Sequence, residues 1–191
     1  MTRPTREQLL TFYDHTVQDL LPTQGNLKLL FVGINPGLWT AATQTHFAYP
    51  GNRFYPALHR AGITPHELSY VEGMTDEDRD LLCSLGIGIS NVVPRATARA
   101  DELTREELRA GGAALVANIA IWKPAVVAVA GITAYRAAFG LRKAVAGLQG
   151  EHPFGDVVCW VVPNPSGLNA HETVDTLAQK YGAAARAAGL G

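Results

Sequence analysis

Residues Leu29 to Gly37 read Leu-Leu-Phe-Val-Gly-Ile-Asn-Pro-Gly, and no other stretch restricts the fold as tightly. An apolar run of this length without alternation suits a strand buried on both faces, as in the centre of a parallel sheet. Pro36 has no N–H for a sheet ladder, so the strand must stop there. Gly37 permits a sharp turn and a close approach of a ligand to the backbone. Asn35 is thereby placed at the carboxyl end of a central strand, the edge where open α/β sheets bind ligands. A second run, Val157-Val158-Cys159-Trp160-Val161-Val162, leads into Pro163-Asn164-Pro165-Ser166-Gly167-Leu168-Asn169 and repeats the arrangement.

The rest of the chain alternates in the same manner. Residues 5–21 carry a mostly helical apolar spacing that Pro22 stops. The first strand covers 27–34, and a long loop, 36–51, follows it. That loop holds Trp39, His46, Phe47 and Tyr49, too aromatic for a disordered linker. A helix over 52–61, an irregular stretch over 63–78 and a short helix from Asp76 to Leu85 come next. Gly86 to Val93 reads as a strand and 94–103 as a loop. Thr104 with Glu107 is a capping-box signature for a helix to about Trp122. Ala125–Ala130 is a strand, Ile132–Phe139 a helix, and 140–156 a Gly-rich hairpin connection. The last strand is 157–162, and a helix from about Glu172 closes the chain. The expected class is α/β, a mostly parallel central sheet between helical layers.

With 191 residues, 47% hydrophobic and 17% charged, one globular domain over 1–191 is expected, residues 1–22 forming an N-terminal helical extension. No apolar run approaches the ~20 residues that cross a bilayer, so no membrane partner is expected. The first residues lack the pattern of a signal peptide, which makes cytoplasmic residence the expectation. Cys83 and Cys159 are too few for a four-cysteine iron–sulfur site, and the six histidines show no zinc-like spacing. The net charge of −1 carries no basic excess of the sort most nucleic-acid binders show. A small positive face on a neutral body would suffice locally, and Arg53, Arg95, Arg99, Arg142 and Lys143 are candidates for it.

The two motifs, in this order, resemble the uracil-DNA glycosylase superfamily. The likeness is greatest to its mismatch-specific branch, the bacterial mismatch uracil glycosylases and the related thymine-DNA glycosylases. Gly33-Ile34-Asn35-Pro36-Gly37 is similar to the first loop of that branch, and the likeness continues through Phe47-Ala48-Tyr49-Pro50-Gly51-Asn52-Arg53-Phe54. Asn164-Pro165-Ser166-Gly167-Leu168 is similar to its second loop. A weaker likeness runs from Gly88 to Gly112, through Asn91-Val92-Val93 and Glu106-Glu107-Leu108-Arg109-Ala110-Gly111-Gly112. The resemblance implies a three-layer αβα sandwich. It also implies a monofunctional glycosylase that hydrolyses the N-glycosidic bond of uracil, and of other damaged or mismatched pyrimidines, in double-stranded DNA. The product is an abasic site for base-excision repair. No metal or other cofactor is implied, and a monomer is expected. No lysine lies in either motif to form a Schiff base.

By resemblance, Asn35 positions the attacking water. A primary amide can orient a water but not deprotonate it, so the reaction then rests on leaving group, positioning and electrostatics. Without the resemblance, Asn35 would cap its own turn. Phe47 corresponds to the aromatic that stacks on the extruded base. Such a contact is worth about 1–3 kcal/mol and partly offsets the cost of flipping; read alone, Phe47 is a core residue pinning its loop. Backbone groups around Gly33, Ile34 and Phe47 are expected to read the base edge. Tyr49 lies near where uracil-specific relatives exclude a 5-methyl group with a bulky residue, but offset by two residues from Phe47. Asn164 stands where faster relatives have a His. A neutral amide stabilises the departing charge less well, so a slower, less discriminating enzyme is expected.

Leu168 corresponds to the wedge that fills the vacated stack. Ser166 and Gly167 would contact phosphate, and Gly167 and Asn169 would lie near the orphaned partner base. The other reading of Leu168 is a hydrophobic staple at the start of a helix. Trp39, Thr40 and His46 depart from the bacterial mismatch pattern, and His46 is closer to the thymine-DNA glycosylase version. Asp101, in the loop after the second strand, is a carboxylate that could act as a base, which Asn35 cannot. Its other reading is a favourable charge near the start of the following helix. Two other classes stay open: a module that binds extruded bases without cutting, and a hydrolase of free nucleosides. An apolar Leu168 in a Pro/Gly loop favours duplex DNA over a free nucleoside.

Overall fold

The structure, a computed structural model, describes residues 4–23 and 25–190. The elements are α1 (Arg6–Leu10), β1 (Leu29–Gly33), α2 (Leu38–Thr43), α3 (Phe54–Arg60), α4 (Asp76–Leu85) and β2 (Ile87–Asn91). They continue with a 3-10 turn (Ala100–Glu102), α5 (Arg105–Trp122), β3 (Val126–Ala130), α6 (Ile132–Phe139), β4 (Gly147–Leu148), β5 (Val158–Val162) and α7 (Val174–Ala187). The sheet order is β2-β1-β3-β5-β4. The first four strands run parallel, and the two-residue β4 closes one edge antiparallel to β5. This is the α/β sandwich expected from the alternation of strands and helices.

All five residues of β1 are buried, as its unbroken apolar run demands. Leu29 and Phe31 face one layer, packing with Phe54, Leu58, Leu82, Leu177 and Tyr181. Leu30 and Val32 face the other, with Leu115, Ile119, Tyr135 and Ala138. The period-two side-chain alternation of a strand thus builds two cores from one run. Each fully buried large side chain contributes about 1.5–3 kcal/mol.

Where the chain goes after β1 decides where a ligand can bind. It passes first to β2 on one side, then returns to β3 on the other. The connections leave opposite sides of β1, and the crevice at the carboxyl ends of β1 and β3 is the topological switch point.

Two expectations about the amino-terminal third differ from the structure. Residues 5–21 do not form one helix: α1 ends at Leu10, and Asp14 takes a left-handed φ of 64°. The segment then runs along the sheet, with Leu20 exchanging backbone hydrogen bonds with Ile89 at 2.9 and 2.7 Å. Val17 and Leu20 are apolar because they pack inward, not because they share a helical face. The stretch 36–51 is not all loop either, since Gly37 caps α2. Trp39, Thr40 and Thr43 are weak helix formers, and burial of Leu38, Trp39, Thr40 and Ala41 supplies what propensity does not. The capping box at Thr104 is present: the Thr104 hydroxyl accepts from the Glu107 N–H at 3.1 Å, and the Thr104 N–H donates to the Glu107 carboxylate at 2.8 Å.

Candidate active site

A cavity of about 160 Å³ opens at the switch point, lined by residues from the carboxyl ends of four strands. Gly33 to Gly37 follow β1, Asn91 ends β2, Ala130 ends β3 and Asn164 follows β5. His46, Phe47 and Tyr49 come from the segment after α2. The volume is below the roughly 300–1,000 Å³ of drug-sized ligand sites. No carboxylate, lysine or arginine lines it among the described residues.

Asn35 is held by its donor end. Its Nδ2 donates to the Arg95 carbonyl at 3.0 Å, the Thr97 hydroxyl at 2.8 Å and the Pro36 carbonyl at 3.2 Å. Carbonyls can only accept, so this set fixes which way round the amide sits. Oδ1 is the end left to the cavity. Thr97 in turn donates to the Arg99 carbonyl at 2.8 Å, and its N–H reaches the Pro36 carbonyl at 3.2 Å. The contact to Pro36 is the local turn cap that Asn35 would make in any case; the other two bring in a segment sixty residues away.

Asn164 is held the opposite way. Its Oδ1 accepts from the Ser166 N–H at 2.9 Å. A backbone N–H can only donate, so Nδ2 is the end left over. The preceding residue is also anchored: buried Tyr181 on α7 donates to the Pro163 carbonyl at 2.9 Å. The cavity therefore meets an acceptor from the first motif and a donor from the second.

Phe47 has a left-handed φ of 56°. For a non-glycine residue this costs of order 1–2 kcal/mol and persists only where packing over-determines it. That packing is visible. One face of the ring stacks on Phe54 at 4.2 Å and 28°. Phe54 is fully buried and meets Phe31 edge-on at 5.0 Å. Phe47 is thus the half-buried outer member of an aromatic column rising from the core. Tyr49 stands at the rim, 58% exposed, its ring edge-on to Trp39 at 6.2 Å.

Asn91 lines the cavity as well, although in sequence it stands only within the weaker likeness from Gly88 to Gly112. It ends a strand at the same edge as Asn35, and that position alone marks it. Its Nδ2 faces Nδ1 of His46 at 3.1 Å, while Nε2 of His46 faces the Gln18 carbonyl at 2.9 Å. The carbonyl requires an Nε2–H donor, so a neutral imidazole has Nδ1 as acceptor and Asn91 as donor. Burial pushes the His46 pKa down to about 4, which keeps the ring neutral. Asn91 Oδ1 then turns toward Gly33: a Cβ built on Gly33 would lie 2.6 Å from it and 3.3 Å from the Phe47 ring. Any side chain at Gly33 would fill this part of the cavity. The carbonyls of Gly33 and Ile34 accept from the Val92 and Val93 N–H groups at 2.9 and 3.0 Å.

The second loop is stiffened from below. The Arg53 guanidinium donates to the carbonyls of Gly167 at 2.8 Å, Asn169 at 3.2 Å and Glu172. Asn169 donates from Nδ2 to the Asn164 carbonyl at 3.1 Å, and its Oδ1 accepts from the His171 N–H at 3.3 Å, so its side chain is used inside the loop. The Ser166 hydroxyl accepts from the Leu168 N–H at 3.3 Å. Gly167 lies so near Gly51 that a Cβ would sit 2.8 Å from its carbonyl. On this frame Leu168 is 95% exposed. It makes no staple with the helix that follows.

Asp101 lies outside the cavity lining, in the 3-10 turn beside Ala100, which does line it. Its carboxylate is paired with Arg99 at 3.0 and 2.5 Å and is largely exposed. The residues expected to form a positive face are mostly committed elsewhere. Arg53 holds the second loop, Arg95 bridges Asp14 and Glu107, and Arg99 pairs with Asp101.

A small uncharged cavity at a switch point, with hydrogen-bonding groups of both senses and an aromatic wall, suits a flat polar ring presented from outside. The fold is an αβα sandwich with its cavity at the switch point. Residues 22–186 match the Uracil DNA glycosylase superfamily, and the chain belongs to it. Membership implies glycosylase activity on uracil in DNA.

Proposed function

We propose that this chain is a monofunctional glycosylase of the mismatch-specific kind. It extrudes uracil, or another damaged or mismatched pyrimidine, from double-stranded DNA and leaves an abasic site. The observation that carries this reading is the opposed polarity of the two amides. Asn35 Oδ1 accepts a hydrogen bond from a water and aims its lone pair at the anomeric carbon. The C–N bond breaks with its electron pair on the base, and Asn164 Nδ2 donates toward the charge that develops there. Phe47 offers its free face to the base. Asn91 Oδ1, an acceptor, suits the N3–H of uracil or thymine and opposes the unprotonated N3 of cytosine. Tyr49 guards the rim. No carboxylate lines the cavity, so the water is oriented rather than deprotonated in place, and the proton it sheds after attack passes to the released base anion. Asp101 can accept its proton only after leaving Arg99, and we assign it the subordinate role.

Incubation of a duplex carrying a single uracil, followed by hot alkali, tests this reading. Strand scission at the uracil is expected, with no covalent adduct trapped by borohydride. An intact strand from a protein that still binds the duplex would replace the reading with that of a damaged-base-binding module. Release of uracil from free nucleosides alone would make it a nucleosidase.

The exposed Leu168 separates duplex from nucleoside chemistry in a second way. Leu168→Ala should leave the fold intact, because a side chain 95% exposed contributes no core. It should slow excision of uracil opposite adenine by about tenfold, the loss of roughly 1.4 kcal/mol in the transition state. Uracil opposite guanine should be slowed less, because a mismatched base is already easier to extrude. Equal slowing of both substrates would remove Leu168 from the wedge role.

A further inference from the structure

A wider groove of about 440 Å³ lies between α5 and α6, and its charged lining is entirely cationic: Arg105, Arg109, Arg136 and Arg142. Arg136 spends Nε and Nη2 on the Ala144 carbonyl, at 2.8 and 2.5 Å. The side chains of the other three make no hydrogen bond or ion pair among the described residues. Helix physics opposes this placement. Arg105 is the first residue of α5, where a cation meets the positive end of the helix dipole. Arg109 stands four residues on, a like-charge pair on one face. Arg105 is thus placed against its local preference, the pattern of a residue that acts on something else.

The groove also adjoins the catalytic edge. Gly131, the N-cap of α6, borders Ile34 and Asn164 of the cavity, and Thr133, two residues on, lines the groove. We infer that this groove is a second DNA-binding track, in which the arginines take phosphodiester groups of the duplex flanking the extruded nucleotide. That the phosphate belongs to DNA rests on the glycosylase reading; the anionic chemistry rests on the groove itself. The track would explain how a chain of net charge −1 holds a polyanion while Arg53, Arg95 and Arg99 are engaged elsewhere.

Binding to a 30-base-pair duplex without uracil, measured as a function of salt, tests the inference. Each phosphate contact adds about 0.9 to the steepness of log K against log salt. Arg105→Gln and Arg109→Gln should each flatten the slope by about that amount, and the triple variant with Arg142→Gln by about 2.7. Lys28→Gln removes the same charge at the amino edge of the sheet, beside β1, and should leave the slope unchanged. Slopes for the arginine variants equal to that of the wild type, from a protein that still excises uracil, would overturn the track and leave the glycosylase reading standing. Flattened slopes from a protein that excises nothing would support the track and sink the glycosylase reading. Titration with tripolyphosphate separates the two sources of phosphate. Groove-dependent binding of tripolyphosphate with an unmoved duplex slope would overturn the assignment to DNA.

Discussion

Asn35→Ala should lower the single-turnover rate of uracil release by about 10²-fold or more, the effect of losing a positioned catalytic group. Its folding should suffer little, since Asn35 is only half-buried and the loop it joins keeps the backbone bonds from Val93 and Thr97. Asn35→Asp is the sharper comparison. A carboxylate cannot donate to the Arg95 and Pro36 carbonyls, so the group loses its anchor even though it gains basicity. Rescue by Asp would show that basicity, not orientation, limits the rate. Asp101→Asn supplies the other arm. If Asp101 accepts the proton, Asp101→Asn slows the single-turnover rate, and unchanged activity removes Asp101 from the mechanism. A folded Asn35→Ala protein with full activity would overturn the assignment of the water.

The second large effect concerns pH and stability. Burial holds His46 neutral in the folded protein, with a pKa near 4 against 6.5 for the free side chain. Between these values the unfolded chain binds the proton and the folded chain does not, so stability rises with pH across that window and is lost as pH falls through it. The full shift corresponds to about 3 kcal/mol. Chemical denaturation at pH 7.5, 5.5 and 4.5 should show the wild type losing this increment relative to His46→Gln, while carboxylates that titrate in both proteins cancel. Parallel curves for the two proteins would mean that the ring is not buried neutral. Activity of the folded protein should persist across that window and fail only as pH falls to about 4, where a protonated Nδ1 can no longer accept from Asn91 and the amide is released to turn.

How much of this was legible in the sequence varies from residue to residue, for physical reasons. The central strand could be read because an unbroken apolar run has few other uses, and α5 because a capping box is local. Asn35 and Asn164 could be placed at one edge because both follow such runs. What the chain does not spell out is which end of each amide is spent. That depends on Arg95 and Thr97 for one, and on a turn geometry at Ser166 for the other. Asn91 obeys the same edge rule but lacks the flanking Pro and Gly that draw attention to the other two. The amino-terminal segment misleads because Val17 answers to α2 and Leu20 to a neighbouring strand rather than to a helix of their own. The arginine groove is invisible in a net charge of −1, because a sum over the chain erases where each charge sits.

The frame under Leu168 has a consequence for how a lesion is found. Three carbonyls held by one guanidinium, and a glycine pressed against Gly51, leave Leu168, the proposed wedge, on a support with little freedom to adapt. A stiff probe does not mould itself to each base pair it passes. With Leu168 as the wedge, discrimination would fall to the duplex: pairs that open readily would yield to the intruding side chain, and well-stacked ones would turn it away before the cavity is ever consulted. Selectivity would be decided largely by the mechanics of the DNA, with recognition of the base itself serving as the later and milder filter.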